Sequence, residues 1–152
     1  MNWIDYFLGI AEQVKLKSKD RSTQIGAVIV GVDNEVLSVG YNSFPRGAND
    51  SVEERYERPE KYLYTEHAER NAIYNAARVG IPIKGSTIYL SGGLPCMDCA
   101  RAVIQSGIIR VYCKEVCTTT NKALWEEQQK KAHGLLEECG VEVIYYDSAV
   151  IE

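Results

Sequence analysis

The sequence predicts an α/β protein, a three-layer α/β/α sandwich built on a mixed five-stranded sheet. Three observations point there. Four segments repeat apolar residues at helical spacing, five short runs rich in apolar and β-branched residues fall beside them, and only the first two of those runs are joined by a turn. Every later pair of runs has a helical segment between its members. Strands joined through a helix form right-handed parallel crossovers, whereas a turn-linked pair forms an antiparallel hairpin.

Each element has its own warrant. Residues 2–17 place Ile4, Phe7, Leu8, Ala11 and Val14 on one face, which predicts an amphipathic helix. Gly26–Val30 is a short apolar run, 32–35 a turn, and Val36–Tyr41 the returning strand. Residues 43–62 hold Pro45, Gly47 and Pro59 and predict a long, irregular loop. Such length in a compact domain signals a functional or oligomeric role. Residues 67–79 are helical, with Ala68, Ala72, Ile73, Ala76 and Val79 apolar, and Gly80 and Pro82 end the helix. Thr87–Leu90 is a strand, 97–106 a helix stopped by Gly107, Ile108–Cys113 a strand, 122–138 a helix, and Val141–Tyr146 the last strand.

Composition narrows the class. The 152 residues amount to about one ordinary domain, expected to span 1–152, and 45% hydrophobic residues suffice for a full core. Net charge is −4 and the isoelectric point about 5.3. This argues against tracking a long nucleic-acid backbone, which calls for a basic surface. A small anionic substrate needs only a few local cations and stays open. No apolar run reaches the length of a membrane span. The start Met1-Asn2-Trp3-Ile4-Asp5 lacks the basic and apolar regions of a signal peptide, so a cytoplasmic protein is expected. Of five cysteines, Cys113, Cys117 and Cys139 read as reduced thiols.

The other two cysteines belong to the most informative pattern in the chain. His67-Ala68-Glu69 is followed by Pro95-Cys96-Met97-Asp98-Cys99. One imidazole and two thiolates make a three-ligand zinc set, which leaves a fourth tetrahedral position for water, as catalytic sites do. Glu69, two residues after His67, is badly placed as a ligand and well placed to shuttle a proton. Both ligand segments open a helix, where the partial positive charge favours thiolates. Pro95 suits a first turn because it has no N–H to leave unsatisfied. A closed structural zinc site would need a fourth protein ligand, and none stands nearby at ligand spacing. Cys96-x-x-Cys99 alone is equally compatible with a redox pair.

The order H-x-E, then P-C-x-x-C, is the signature of zinc-dependent nucleobase deaminases. The chain resembles the cytidine/deoxycytidylate deaminase superfamily from about Ser18 to Val111, and within it the deoxycytidylate (dCMP) branch. The dCMP-branch likeness lies in Ser18-Lys19-Asp20, Gly40-Tyr41-Asn42 and Phe44-Pro45-Arg46-Gly47. The resemblance implies a cytidine deaminase-like fold, one Zn2+ per chain on His67, Cys96 and Cys99, and Glu69 as the catalytic base and acid. It implies hydrolytic deamination of dCMP to dUMP and ammonia. It also implies that Asn42 contacts the nucleotide sugar and that the backbone at Ala68 holds the base. A homo-oligomer, hexamer or dimer, is implied too, with dCTP and dTTP as allosteric ligands of the family. Ser43 departs from the pattern, where a second glycine is common. So does Glu66, where many relatives carry a small or apolar residue.

Phosphate contacts are less determined. Arg21, Arg46, Arg70 and Lys122 are candidates, and Arg46 is the best placed because it follows Pro45 beside Asn42. The competing reading of Arg46 is a solvated surface residue. Trp125 has two readings, a cover over the site from the last helix, or core packing at helical spacing with Ala132 and Leu136. Two other functions remain open at this point. One is another cytosine or purine base or nucleoside deaminase. The other is a non-catalytic, zinc-stabilised binding module, which would leave Glu69 without a role.

Overall fold

The computed structural model describes residues 1–115 and 122–146, the side chains of 122–125 excepted. The elements are α1 (Trp3–Val14), β1 (Gly26–Val30), β2 (Val36–Tyr41), α2 (Lys61–Tyr64), α3 (Ala68–Val79), β3 (Thr87–Gly93), α4 (Met97–Gln105), β4 (Arg110–Lys114), α5 (Lys122–Glu138) and β5 (Glu142–Tyr146). They form one five-stranded sheet of order β2-β1-β3-β4-β5. β1 is antiparallel to both β2 and β3, and β3, β4 and β5 run parallel. The mixed α/β sheet matches the expectation from sequence.

β1 explains the three layers. All five of its residues are buried. Successive side chains of a strand point to opposite faces. Ala27 and Ile29 join a core with residues of α3, α4 and α5, whereas Val28 and Val30 join a second core with Phe7, Leu8 and Ala11 of α1. Helices therefore cover both faces. Ile88 and Leu90 at the sheet centre are completely buried, each worth about 1.5–3 kcal/mol relative to exposure.

Beyond shifts of one to three residues at strand ends, three details of the layout differ from the sequence expectation. The crossover from β2 through α3 does not reach a neighbour, because β1 sits between β2 and β3. The segment 43–62 is not wholly irregular: Glu53–Tyr56 forms a 3-10 turn, and α2 begins at Lys61. The first helix ends at Val14 and tightens to a 3-10 turn over Lys15–Lys17.

Gly40 sets how closely α3 approaches the sheet. A Cβ at Gly40 would lie 2.3 Å from the Ala72 backbone nitrogen and 2.7 Å from the Ala68 carbonyl oxygen. Only glycine permits this contact without backbone movement, so the helix start that carries the H-x-E motif lies directly against the strand end that carries Asn42.

Candidate active site

Two helix starts meet at one point. His67 is the N-cap of α3 and Cys96 the N-cap of α4, both in extended backbone conformation. Pro95 therefore lies one residue ahead of the cap, not inside the first turn as expected. The first helical bonds fix these positions: Asn71 N donates to His67 O and Ala100 N to Cys96 O. Neither N-cap side chain caps its own helix. Both point into the gap between the helices, where Cys99, one turn beyond Cys96, joins them.

His67 Nδ1 lies 3.5 Å from Cys96 Sγ and 3.4 Å from Cys99 Sγ. The three ligand atoms all fall within 4.8 Å of one another. Tetrahedral zinc with Zn–N about 2.0 Å and Zn–S about 2.3 Å sets its N and S ligands about 3.5 Å apart. The donor set and its spacing thus fit zinc.

Glu69 sits in the first turn of α3 and is 7% exposed. Burial raises its carboxyl above the ordinary range, against the opposing pull of His67. The imidazole of His67 is raised chiefly by its hydrogen bond with Cys96. The Cys96 thiol is lowered to about 4, first by hydrogen bonding from Cys99, against burial, and then by His67. Cys99 moves the other way, because it hydrogen-bonds the Cys96 thiolate and is itself buried. Zinc takes cysteine as thiolate, so metal uptake by this pair releases protons.

The model of the cytidine and deoxycytidylate deaminase zinc-binding region matches residues 1–115. This chain belongs to that family. It is 41% identical over 143 residues to an "Uncharacterized deaminase in luxG 3'region" of Aliivibrio fischeri, covering 94% of this chain and 92% of the relative. It is 34% identical over 146 residues to the deoxycytidylate deaminase of Homo sapiens, covering 93% and 78%. Among solved structures, the dCMP deaminase of cyanophage S-TIM5 in complex with dCMP and dUMP aligns with a TM-score of 0.74 at 25% identity, covering 93% and 95%. The metal of this deaminase family and the His67–Cys96–Cys99 geometry therefore agree.

The other residues singled out from the deaminase pattern fall in different places. Ala68 is buried at the start of α3 beside the cluster. Asn42 is 7% exposed, and its side chain holds a loop. Its Oδ1 accepts from Ile25 N at 2.8 Å and its Nδ2 donates to Thr23 O at 2.8 Å. An amide has two N–H donors, and among the described residues Thr23 O is the one acceptor they meet. Arg46 is not at the metal cluster. It donates to Asn75 Oδ1 at 2.7 Å and lines a cleft of about 280 Å³ with Asn42, Ser43, Phe44, Tyr56 and Arg55. The side chain of Trp125 lies outside the described residues, as does Cys117. Ala132 and Leu136, its helical companions, are core. Of the remaining thiols, Cys113 is buried and Cys139 exposed.

Of the other phosphate candidates, Arg21 is paired with Glu53 and Arg70 with Glu66, and the side chain of Lys122 lies outside the described residues. The sequence reading also missed a buried ion pair. Lys61 Nζ lies 3.2 Å from Asp20 Oδ2, and both side chains are about one-tenth exposed. It pins the loop that Asn42 holds. No local signal marks a lysine in a polar stretch as the partner of an aspartate 41 residues away.

Proposed function

We propose that this chain is a dCMP deaminase, converting dCMP and water to dUMP and ammonia. The observation that carries the reading is the convergence of one imidazole and two thiols on a point beside a buried carboxyl, Glu69. A closed structural zinc site gives Glu69 no task, which disfavours a purely binding role. The dCMP branch is supported by the names of the relatives and by the Asn42–Arg46 segment, which lines a cleft rich in cations.

His67, Cys96 and Cys99 hold the zinc in this reading. Bound zinc supplies a water acidic enough to serve as a nucleophile near neutral pH. Glu69 takes one proton from the attacking water and gives it to the ring nitrogen, then takes the proton of the new C4 hydroxyl and gives it to the amino group, which leaves as ammonia as the C4–N bond breaks and C4=O forms, so it acts as base and then acid. The buried start of α3 at Ala68 holds the base and excludes bulk water. Asn42 offers an amide N–H to the sugar, and Arg46 meets the 5′-phosphate.

A homo-oligomer, hexamer or dimer, is supported by the exposed apolar side chains Tyr62, Leu63 and Tyr74. Control by dCTP and dTTP rests on the family resemblance. A cytoplasmic location is consistent with the absence, among the described residues, of any helix long and apolar enough to cross a membrane. The test of substrate is ammonia release from dCMP, deoxycytidine, cytosine and guanine at matched concentration. Preference for dCMP is expected. Preference for deoxycytidine overturns the nucleotide reading and leaves the zinc chemistry intact, and no release from any of the four favours the binding module.

A further inference from the structure

We propose that Arg70 is a positioning residue for the metal site, clasping the two helix starts that supply its ligands. This rests on the reading of His67, Cys96 and Cys99 as the zinc ligands. His67 and Cys96 are 29 residues apart in sequence. Both N-cap side chains are turned into the cluster, so neither steadies its own helix in the usual way. Another set of contacts holds the two starts in register.

Those contacts form an alternating chain of charge. The Glu66 carboxylate accepts the His67 backbone N–H at 3.1 Å and also the Nε–H of Arg70. Arg70 then reaches across the gap, with Nη1 3.6 Å from Asp98 Oδ2. Asp98 stands between Cys96 and Cys99 in the first turn of α4, and its other oxygen binds Arg101. Every member lies within one helical turn of a metal ligand. The contacts differ in weight. The side chains of Arg70 and Glu66 are 21% and 26% exposed, whereas Asp98 is 60% exposed. Exposed pairs contribute little, so the Glu66–Arg70 contact is the stronger half. The guanidinium is suited to the task because its planar fork addresses two carboxylates at once, which an ammonium does less well.

The test is zinc affinity, measured by competition with a chromophoric chelator, together with the melting temperature of the zinc-free chain. Arg70→Gln is expected to weaken zinc binding about tenfold, the scale on which outer partners of metal ligands act. Glu66→Gln should follow closely and Asp98→Asn should fall short of it. Arg70→Lys should recover part of the loss. Arg101→Gln, at the exposed outer end, should match wild type. A weakened affinity with an unchanged zinc-free melting temperature separates positioning from general destabilisation. If Arg70→Gln fails to fold, the isosteric Glu66→Gln and Asp98→Asn carry the comparison. Variants that hold zinc as tightly as wild type overturn the clasp while the ligand assignment stands. A wild-type chain that takes up no zinc overturns the ligand assignment and the clasp with it.

Discussion

Replacing Lys61 by methionine isolates the buried ion pair that the fold places under the Asn42 loop. Lys61 Nζ contacts both oxygens of Asp20, at 3.3 and 3.2 Å, and Ser22 Oγ at 2.8 Å. At that separation two unit charges attract by about 5 kcal/mol for an effective dielectric of about 20. Losing one partner of a buried pair costs about 3–5 kcal/mol, because the other charge stays behind uncompensated. Asp20 is not wholly stranded, since Ser22 N and Thr23 N still donate to its Oδ1 at 2.9 Å each. The lower end, about 3 kcal/mol, is therefore expected. For a chain of this length that lowers Tm by about 6–12 °C. Differential scanning calorimetry of Lys61→Met against wild type measures it. The double variant Asp20→Asn/Lys61→Met should lose less than Lys61→Met alone, because no unpaired charge is left. The pH dependence has a definite sign. Burial pushes the Asp20 carboxyl up, but the Thr23 and Ser22 N–H groups and Lys61 outweigh it, and its folded pKa lies below the ordinary value. A depressed carboxylate stabilises fully above its unfolded pKa, and that contribution is lost as pH falls through the folded value. Wild type should thus lose this increment only in acid, below about pH 4, and the double variant should lack that acid-sensitive increment. A Lys61→Met chain that melts with wild type at neutral pH would refute the assignment of the pair as a stabilising contact.

Three further outcomes test the site. Cys96→Ala should abolish zinc retention, measured by metal analysis of the purified chain, and full occupancy in that variant would remove Cys96 from the ligand set. Glu69→Gln keeps shape and removes the base, so zinc should stay while turnover falls by at least about 10²-fold, as for loss of a general acid–base. Arg46→Ala should lose a charge-assisted contact of about 1.5–3 kcal/mol. That is roughly tenfold or more in kcat/KM for dCMP, with little change for deoxycytidine. Equal losses on both substrates would mean that Arg46 shapes the loop through Asn75 and does not read phosphate.

What the sequence revealed follows from which physics is local. Helix and strand periodicities are local, so the alternation of α3, β3, α4 and β4 was legible, and so was the ligand set, because each half of it occupies a few consecutive residues. The strand order was not, since nothing in β1 marks it as the strand that pairs on both sides, beyond its uniformly apolar run. The helical pieces in 43–62 were hidden because the 3-10 turn at Glu53–Tyr56 and the four-residue helix at Lys61–Tyr64 are too short to show a period. Long-range polar pairing was the least legible. Lys61 with Asp20, Arg46 with Asn75, and Arg70 with Asp98 each join residues with no shared local pattern.

Other long-range bonds tie the cleft to the metal cluster. Ser43 and Glu66 exchange two backbone hydrogen bonds, 3.1 and 2.8 Å long, which anchors the residue after Asn42 to the residue before His67. Asn71, one turn into α3, donates to Tyr41 O at 2.8 Å and to Ser43 Oγ at 3.2 Å. With Gly40 allowing the close approach of α3, the strand end and the helix start are bonded directly to each other. Ser43 and Glu66 are the partners in that bridge. Each also uses its side chain there, Ser43 toward Asn71 and Glu66 toward Arg70. A glycine at 43 would keep the backbone bonds and lose the one to Asn71. An apolar residue at 66 would keep them and lose the hold on Arg70. Ser43 and Glu66 are therefore related by contact, and they strengthen the same junction between the cleft lined by Asn42 and Arg46 and the cluster of His67, Cys96 and Cys99.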